Sequence, residues 1–267
     1  MPRTSKKRWW FLGGLGAIVV AAAGIAAFAP ATIVGVDSYI LAPGNATGTA
    51  SAIRVVGADS FAPEGEIAFT TVSIRRNISV WEWLRAKRDG AQELVPPEQI
   101  DGDRTTEETR QVTQFQMDQS QDTATIVALN YLGYEIVPEV DGAFVIRLVP
   151  DSPAAAALRL GDLIVRVGDT DIRSSEDLSA AIQSNQPGDQ VDVELKRSAS
   201  DSGGSGADPD AVDAEAIITL AEHPDIPGAG FLGVQIETPI RADAPFDVSI
   251  DVGRVRGPSA GLAFSLS

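Results

Sequence analysis

One serine of this sequence lies where residue types and spacing favour covalent chemistry. It belongs to the run Gly257, Pro258, Ser259, Ala260 and Gly261. Residues 246–252, which come directly before, alternate apolar and polar side chains with the period of two that is typical of a half-buried strand. Glycine permits an unusual backbone angle, proline fixes φ, and the small residues that follow leave the serine hydroxyl uncrowded. The pattern indicates a nucleophile that attacks a carbonyl carbon next to backbone N–H groups able to stabilise an oxyanion.

The same run has an ordinary structural interpretation. Glycine, proline and serine before an apolar segment also describe a helix start, with Ser259 as its N-cap. The run together with residues 262–264 resembles the nucleophile signature of Lon-type serine proteases, which use a Ser-Lys dyad. The resemblance implies that Ser259 is the nucleophile, that Gly257, Pro258, Ala260 and Gly261 form the oxyanion turn, and that a desolvated lysine downstream accepts the proton.

No lysine follows Ser259, so no base is assigned. The lysines of the sequence are Lys6, Lys7, Lys87 and Lys196. We expect a sequence that stops within its catalytic domain and is inactive as given, a pseudoprotease being the alternative. Pairing of Ser259 with His223, the single histidine, is a further alternative.

The N-terminal composition predicts a membrane anchor. Residues 1–8 are basic and are predicted to form a cytoplasmic tail, while the apolar residues 9–29 are predicted to form one transmembrane helix. The expected location is therefore the cell membrane, single-pass, with most of the chain outside the cytoplasm. A cleaved signal peptide is the alternative.

Charge and composition exclude several function classes. The net charge of −16 argues against nucleic acid as a partner. The absence of cysteine excludes disulfides and thiol nucleophiles. A single histidine makes a His-rich metal site improbable, so we predict neither a metal nor a cofactor.

Residues 151–162 and the segments that follow resemble a bacterial PDZ domain. We place this domain at 137–222, with a helix at 175–185, strands 191–195 and 216–220 paired, and an acidic, flexible insertion at 198–214. The resemblance implies that an extended peptide adds as a strand beside the helix, with its terminal carboxylate bound by loop N–H groups.

The candidate loop for this carboxylate is Tyr131-Leu132-Gly133-Tyr134. Its predicted peptide-binding residues are Leu132, Gly133 and Tyr134. In the competing interpretation, Gly133 only ends the preceding helix.

The segment before the PDZ domain combines a strand with two helices. We predict a strand at 66–74, a short helix at 80–88 capped by Ser79, and a long helix at 105–130 opened by a capping box of Thr105 and Glu108. Residues 65–71 and 117–120 resemble parts of Lon protease domains.

The predicted fold class is therefore α+β, with an N-terminal transmembrane helix and a PDZ domain inserted in an incomplete Lon-type α/β protease domain. The parts of that protease domain are 37–135 and 228–267. A separate membrane-proximal domain is the alternative to this insertion.

The order of these segments resembles the membrane-anchored, PDZ-containing Lon-like proteases of bacteria. The resemblance implies a serine endopeptidase whose PDZ domain recognises or gates protein and peptide substrates, without a cofactor, in a homo-oligomer. Two other functions stay open: a membrane-tethered, non-catalytic PDZ protein that binds peptides, and a chaperone-like quality-control factor.

Overall fold

The computed structural model describes residues 24, 28–59, 64–198 and 211–266. In these residues the helices are α1 (Thr49–Ala52), α2 (Val80–Ala86), α3 (Pro97–Asp101), α4 (Thr106–Tyr131), α5 (Ser175–Gln183) and α6 (Gly261–Ser265). Short 3-10 turns lie at Ala31–Val34, Ala154–Ala156 and Pro258–Ala260. The strands are β1 (Tyr39–Gly48), β2 (Ile53–Val56), β3 (Ala68–Arg75), β4 (Glu93–Val95), β5 (Glu139–Val140), β6 (Ala143–Leu148), β7 (Leu163–Val167), β8 (Thr170–Asp171), β9 (Gln190–Arg197), β10 (Val212–Thr219), β11 (Ala221–Glu222), β12 (Gly230–Phe231), β13 (Val234–Glu237), β14 (Ile240–Arg241) and β15 (Asp247–Ile250).

These elements form two compact units, of which the smaller contains 28–46 and Thr70–Asp103. Its sheet has the strand order β3-β1-β4. Helix α2 begins at the predicted cap: the Ser79 hydroxyl accepts the N–H of Glu82, and the Glu82 carboxylate accepts the N–H of Ser79. This reciprocal capping box satisfies two N–H groups that have no partner within the helix.

The predicted transmembrane helix is wrong, and so is the membrane location derived from it. No helix within 28–59, 64–198 or 211–266 is both long and apolar enough to cross a bilayer. The end of the predicted span takes part in the fold instead, because the carbonyl of Ala29 accepts the N–H of Val80 while Ala31 donates its N–H to Ile78. Residues 9–23 and 25–27 of the span lie outside the described residues.

The larger unit contains Thr47–Phe69 and Arg104–Ser267, so the predicted domain 37–135 is shared between the two units. The longest described helix of the larger unit is α4, with 26 residues. It starts at the predicted capping box of Thr105 and Glu108. Phe115 of α4 stacks on Phe144 of β6, with ring centroids 4.0 Å apart. Met117 is buried in a second cluster that includes Phe264 of α6. Helix α4 therefore packs against both the β6 sheet and the C-terminal segment.

A six-stranded sheet with the order β10-β9-β7-β6-β13, and β8 beside β7, forms the centre of this unit. The predicted pairing of residues 191–195 with residues 216–220 is confirmed, since Val193 pairs with Ala216 and Val191 with Ile218. The sheet extends beyond residue 222, the predicted end of the domain, because β13 adds to β6. Helix α5 covers the core with Leu178 and Ile182. Residues 199–210 of the predicted acidic insertion lie outside the described residues.

The charged group buried most deeply in this unit is Asp162, whose side chain is 0% exposed. Its carboxylate accepts hydrogen bonds from Nε and an amino nitrogen of Arg197, at 2.7 and 2.6 Å, and from the N–H of Arg159 at 2.7 Å. The hydrogen bond from Arg197 raises the pKa of that guanidinium further. A fully desolvated carboxylate is stable only when its oxygens are paired in this way.

We predict that Asp162→Ala destabilises the protein by about 3 kcal/mol, because it leaves the Arg197 guanidinium and the Arg159 N–H without their acceptor. Urea denaturation monitored by circular dichroism measures the change. The matched control is Asp171→Ala: this carboxylate is 65% exposed and pairs with Arg166, so its loss should cost no more than about 0.5 kcal/mol. Equal destabilisation by the two variants would contradict a structural role for the buried pair.

Candidate functional site

The segment that carries Ser259 follows β15, which pairs with β2 in a two-stranded antiparallel sheet. Within β15 the exposed residues Asp247 and Ser249 alternate with the half-buried Val248 and Ile250, which confirms the predicted alternation. The 3-10 turn Pro258–Ala260 begins after Gly257, which has φ +98°, and continues directly into α6. Ser259 therefore lies where a turn continues into a helix, but β15 ends at Ile250, and residues 251–257 separate the strand from this turn.

The hydroxyl of Ser259 does not act as a helix cap. The N-cap of the 3-10 turn is Gly257 and that of α6 is Ala260, and neither start is capped by a side chain. Ser259 is exposed, and among the described residues its hydroxyl has no hydrogen-bond partner. The capping interpretation thus does not account for this serine.

Helix α4 holds the turn on both sides of Ser259. The N–H of Gly257 donates to the carbonyl of Thr113 at 3.0 Å, and the Ser120 hydroxyl donates to the carbonyl of Pro258 at 2.8 Å. Gly261 lies so close that an added Cβ would overlap Ser120 Oγ. Close packing against α4 therefore sets where the turn lies.

A groove of about 570 Å³ runs between α4 and α6 beside this turn. Polar residues of α4, among them Gln119 and Ser120, line one wall, and Pro258 and Leu262 line the other. Glu237, the last residue of β13, also borders the groove. The space next to the turn therefore has a mixed polar and apolar lining.

His223, the alternative partner of Ser259, and the side chain of Lys87 make contacts elsewhere. The Nδ1 atom of His223 accepts the N–H groups of Asp225 and Ile226, and its ring packs edge-on against Phe231. The ammonium of Lys87 lies over the ring of Trp83, 4.9 Å from its centroid. Lys196 lies on β9 opposite Asp213.

A second groove lies between α5 and β13. Its apolar floor is formed by Leu178 and Ile182 of α5 with Leu232, and it encloses about 120 Å³. Strand β13 ends the sheet, and within the described residues no strand pairs with its outer edge. An extended peptide has room to add beside β13, as in β-augmentation.

The loop at one end of this groove offers backbone donors. Among the described residues, the N–H groups of Leu232 and Gly233 have no hydrogen-bond acceptor. Gly233 has φ +82°, and an added Cβ would overlap the Ser152 side chain. Successive N–H groups in such a conformation form a concave site for an anion.

The structure does not bring the predicted peptide-binding residues to this groove. Leu132, Gly133 and Tyr134 follow the C-terminal end of α4, where Leu132 is 68% exposed and the ring of Tyr134 packs on Phe246. Gly133 has φ +90°, the conformation of a residue that ends a helix. The groove loop is Phe231-Leu232-Gly233-Val234 instead. This run repeats the aromatic-Leu-Gly pattern of residues 131–133, and that repetition was the signal available in the sequence.

Comparison with known proteins identifies strands β6 to β9 and α5 as part of a PDZ domain. A profile of the PDZ domain family matches residues 130–205, and the chain contains a PDZ domain. No curated protein matches the sequence significantly. The matched residues end before the groove loop at 230–233.

Solved PDZ domains of Listeria proteins are similar to part of this chain. The PDZ domain of the SdrC-like protein of Listeria monocytogenes is 27% identical, covers 36% of this chain and 87% of its own, and has a TM-score of 0.29. That of the SdrC-like protein of Listeria innocua is 29% identical, with coverages of 36% and 93% and a TM-score of 0.29. A PDZ domain indicates peptide binding or protein interaction, whereas nothing in these comparisons supports the predicted Lon identity.

Helix α4 also carries a carboxyl group with an altered pKa. Burial raises the pKa of Asp122, and the hydrogen bond from the Ala242 N–H and the charge of Arg241 oppose this effect. The folded protein therefore holds this proton more tightly than the unfolded chain does. It follows that the ionised carboxylate costs stability at neutral pH, and that this cost vanishes below the ordinary pKa of aspartate, where both states are protonated.

We predict that Asp122→Asn stabilises the protein at neutral pH, because it removes the charge while the side-chain oxygen still accepts the Ala242 N–H. The gain should shrink as the pH falls through the raised pKa of Asp122 toward the ordinary value. Urea denaturation of both proteins at neutral and acidic pH measures this, with the exposed Asp243→Asn as control. A gain of equal size at both pH values would contradict the assigned effect of burial.

Proposed function

We propose that this chain is the peptide-recognising part of a serine endopeptidase, in which the PDZ groove binds protein C-termini and Ser259 is the nucleophile. The observation that carries the first half is the pair of N–H groups at Leu232 and Gly233. They lie at the end of a groove whose open edge accepts a strand. A peptide carboxylate fits such donors because hydrogen bonds to an ionised acceptor are stronger than neutral ones.

The chemistry of the groove defines the preferred ligand. Leu178, Ile182 and Leu232 are buried apolar residues, and they enclose a volume suited to one aliphatic side chain. The last residue of the ligand should therefore be apolar, while its backbone pairs with β13. Burial of that side chain contributes about 1.5–3 kcal/mol.

A fluorescently labelled peptide that ends in a valine carboxylate tests this proposal by anisotropy with the full chain. The free acid should bind at least about tenfold more tightly than the same peptide with a C-terminal amide, because the amide lacks the charge that the N–H groups bind. Gly233→Ala should weaken binding by about tenfold or more, since it adds strain and overlaps Ser152.

The matched control is Gly161→Ala. Gly161 also has positive φ, at +89°, but an added Cβ there meets no neighbour and lies away from the groove. This variant should bind the peptide normally. Equal affinity for acid and amide would contradict carboxylate recognition, whether or not Gly233→Ala folds.

The second half of the proposal is supported by the state of the Ser259 hydroxyl, which is exposed and does not cap a helix. It lies in a Gly-Pro-Ser-Ala-Gly run that resembles the Lon-type nucleophile motif. A Ser-Lys dyad needs a lysine base, and we assign that role to none of the lysines in this sequence. Pro258 has no N–H, and the N–H groups of Gly257 and Gly261 already donate to the carbonyls of Thr113 and Pro258. The N–H of Ser259 would therefore bind the oxyanion.

A fluorophosphonate probe at alkaline pH tests Ser259 in the full chain. The serine oxygen attacks phosphorus and fluoride leaves, while hydroxide in the alkaline buffer accepts the hydroxyl proton in place of the lysine base that a Ser-Lys peptidase needs. We predict one adduct, mapped to Ser259 by peptide mass spectrometry, lost in Ser259→Ala and kept in Ser265→Ala. Ser265 is a suitable control because its hydroxyl already donates to the carbonyl of Leu262. Labelling that persists in Ser259→Ala would overturn the assignment.

A further inference from the structure

Strand β13 separates the two grooves. Successive residues of a strand face opposite sides. Ile236 accordingly lines the peptide groove beside α5, whereas Glu237 borders the groove beside the Ser259 turn. A ligand that pairs with β13 therefore contacts a strand whose last residue, Glu237, forms part of the wall of the second groove.

The chain that leaves β13 is tied first to α5. The Oγ1 atom of Thr238 accepts the N–H of Ser175, the first residue of α5, at 2.9 Å, and the two hydroxyls are 2.8 Å apart. These hydrogen bonds thus join the start of α5 to the segment that leaves β13.

The same chain is then fixed to α4 through its backbone. The Gln119 side chain accepts the N–H of Ile240 at 2.7 Å and donates to its carbonyl at 3.2 Å. One turn later along the helix, Asp122 accepts the N–H of Ala242 at 3.2 Å. A side-chain amide that pairs with both backbone groups of one residue replaces a neighbouring strand, so it defines both the position and the orientation of this segment.

The residue next to Gln119 holds the nucleophile turn. Ser120 donates to the carbonyl of Pro258, directly before Ser259, and is in close contact with Gly261. Two adjacent residues of α4 therefore bind the segment that follows β13 and the turn that carries Ser259. Because α4 is rigid, a small shift of the segment that follows β13 is transmitted to the Ser259 turn.

We propose that Gln119 and Ser120 are positioning residues that couple occupancy of the PDZ groove to the exposure of Ser259. This inference rests on the proposed peptide-binding function. A bound peptide extends the sheet at β13 and restrains the segment that follows this strand. Because Gln119 binds that segment, the restraint acts on α4. Ser120 of α4 then shifts the Pro258 carbonyl, and Ser259 moves with it.

The absence of cysteine from the sequence makes the coupling measurable. Ser259→Cys introduces a unique thiol, whose thiolate displaces iodide from iodoacetamide to form a thioether. We expect the alkylation rate to change by about fivefold or more when the valine-terminated peptide saturates the groove. In Ser259→Cys with Gln119→Ala, or with Ser120→Ala, the rates with and without peptide should coincide.

The control is Gln121→Ala in the same background. Gln121 is on the same helix, and its side chain has no hydrogen-bond partner among the described residues, so the peptide effect should remain. Anisotropy on each variant reports binding independently. Peptide that binds without changing the alkylation rate would overturn the coupling and leave the peptide-binding proposal intact.

Two further outcomes are decisive. A rate change that persists in both Gln119→Ala and Ser120→Ala would identify direct shielding of the thiol by the peptide and would overturn the roles of the two residues. An absence of binding to the Ser259→Cys protein and to the unmodified chain would refute the peptide-binding function, and the coupling with it.

Discussion

Phe115 and Met117 of α4 point in directions about 200° apart around the helix, yet both are buried. Phe115 stacks on Phe144 in the PDZ sheet, and Met117 packs in a cluster with Phe69, Ala260 and Phe264. A helix with two buried faces cannot rotate or slide without exposing one of them. The positions of the peptide groove and of the Ser259 turn are both defined relative to this helix.

The two candidate sites use backbone groups where a typical active site uses charged side chains. The groove loop offers the N–H groups of Leu232 and Gly233, and the nucleophile turn is held through the carbonyl of Pro258 and the N–H of Gly257. Backbone groups are placed by packing alone, so the glycines that allow close approach, Gly233 against Ser152 and Gly261 against Ser120, matter as much as any polar residue.

Local signals in the sequence predicted local structure well. The cap at Ser79, the capping box at Thr105 and the pairing of β9 with β10 are confirmed, because they depend on neighbouring residues or on regular alternation. The groove loop was not predicted, since residues 131–133 and 231–233 carry the same pattern and only tertiary packing places the second beside α5. The membrane helix was inferred from apolar composition, but no helix among the described residues is long and apolar enough to cross a membrane. The pairing of Gln119 with Ile240 has no local signal at all.

Strand β2 has its only described partner in β15, where Ile53 pairs with Ile250 and Val56 with Asp247. The whole PDZ domain lies between these two strands in the sequence. A chain made from its N-terminus must therefore keep β2 unpaired until β15 has emerged from the ribosome, and the entropy of closing so long a loop slows their meeting. Prior folding of the PDZ domain shortens that loop, so folding should proceed from the middle of the chain outward.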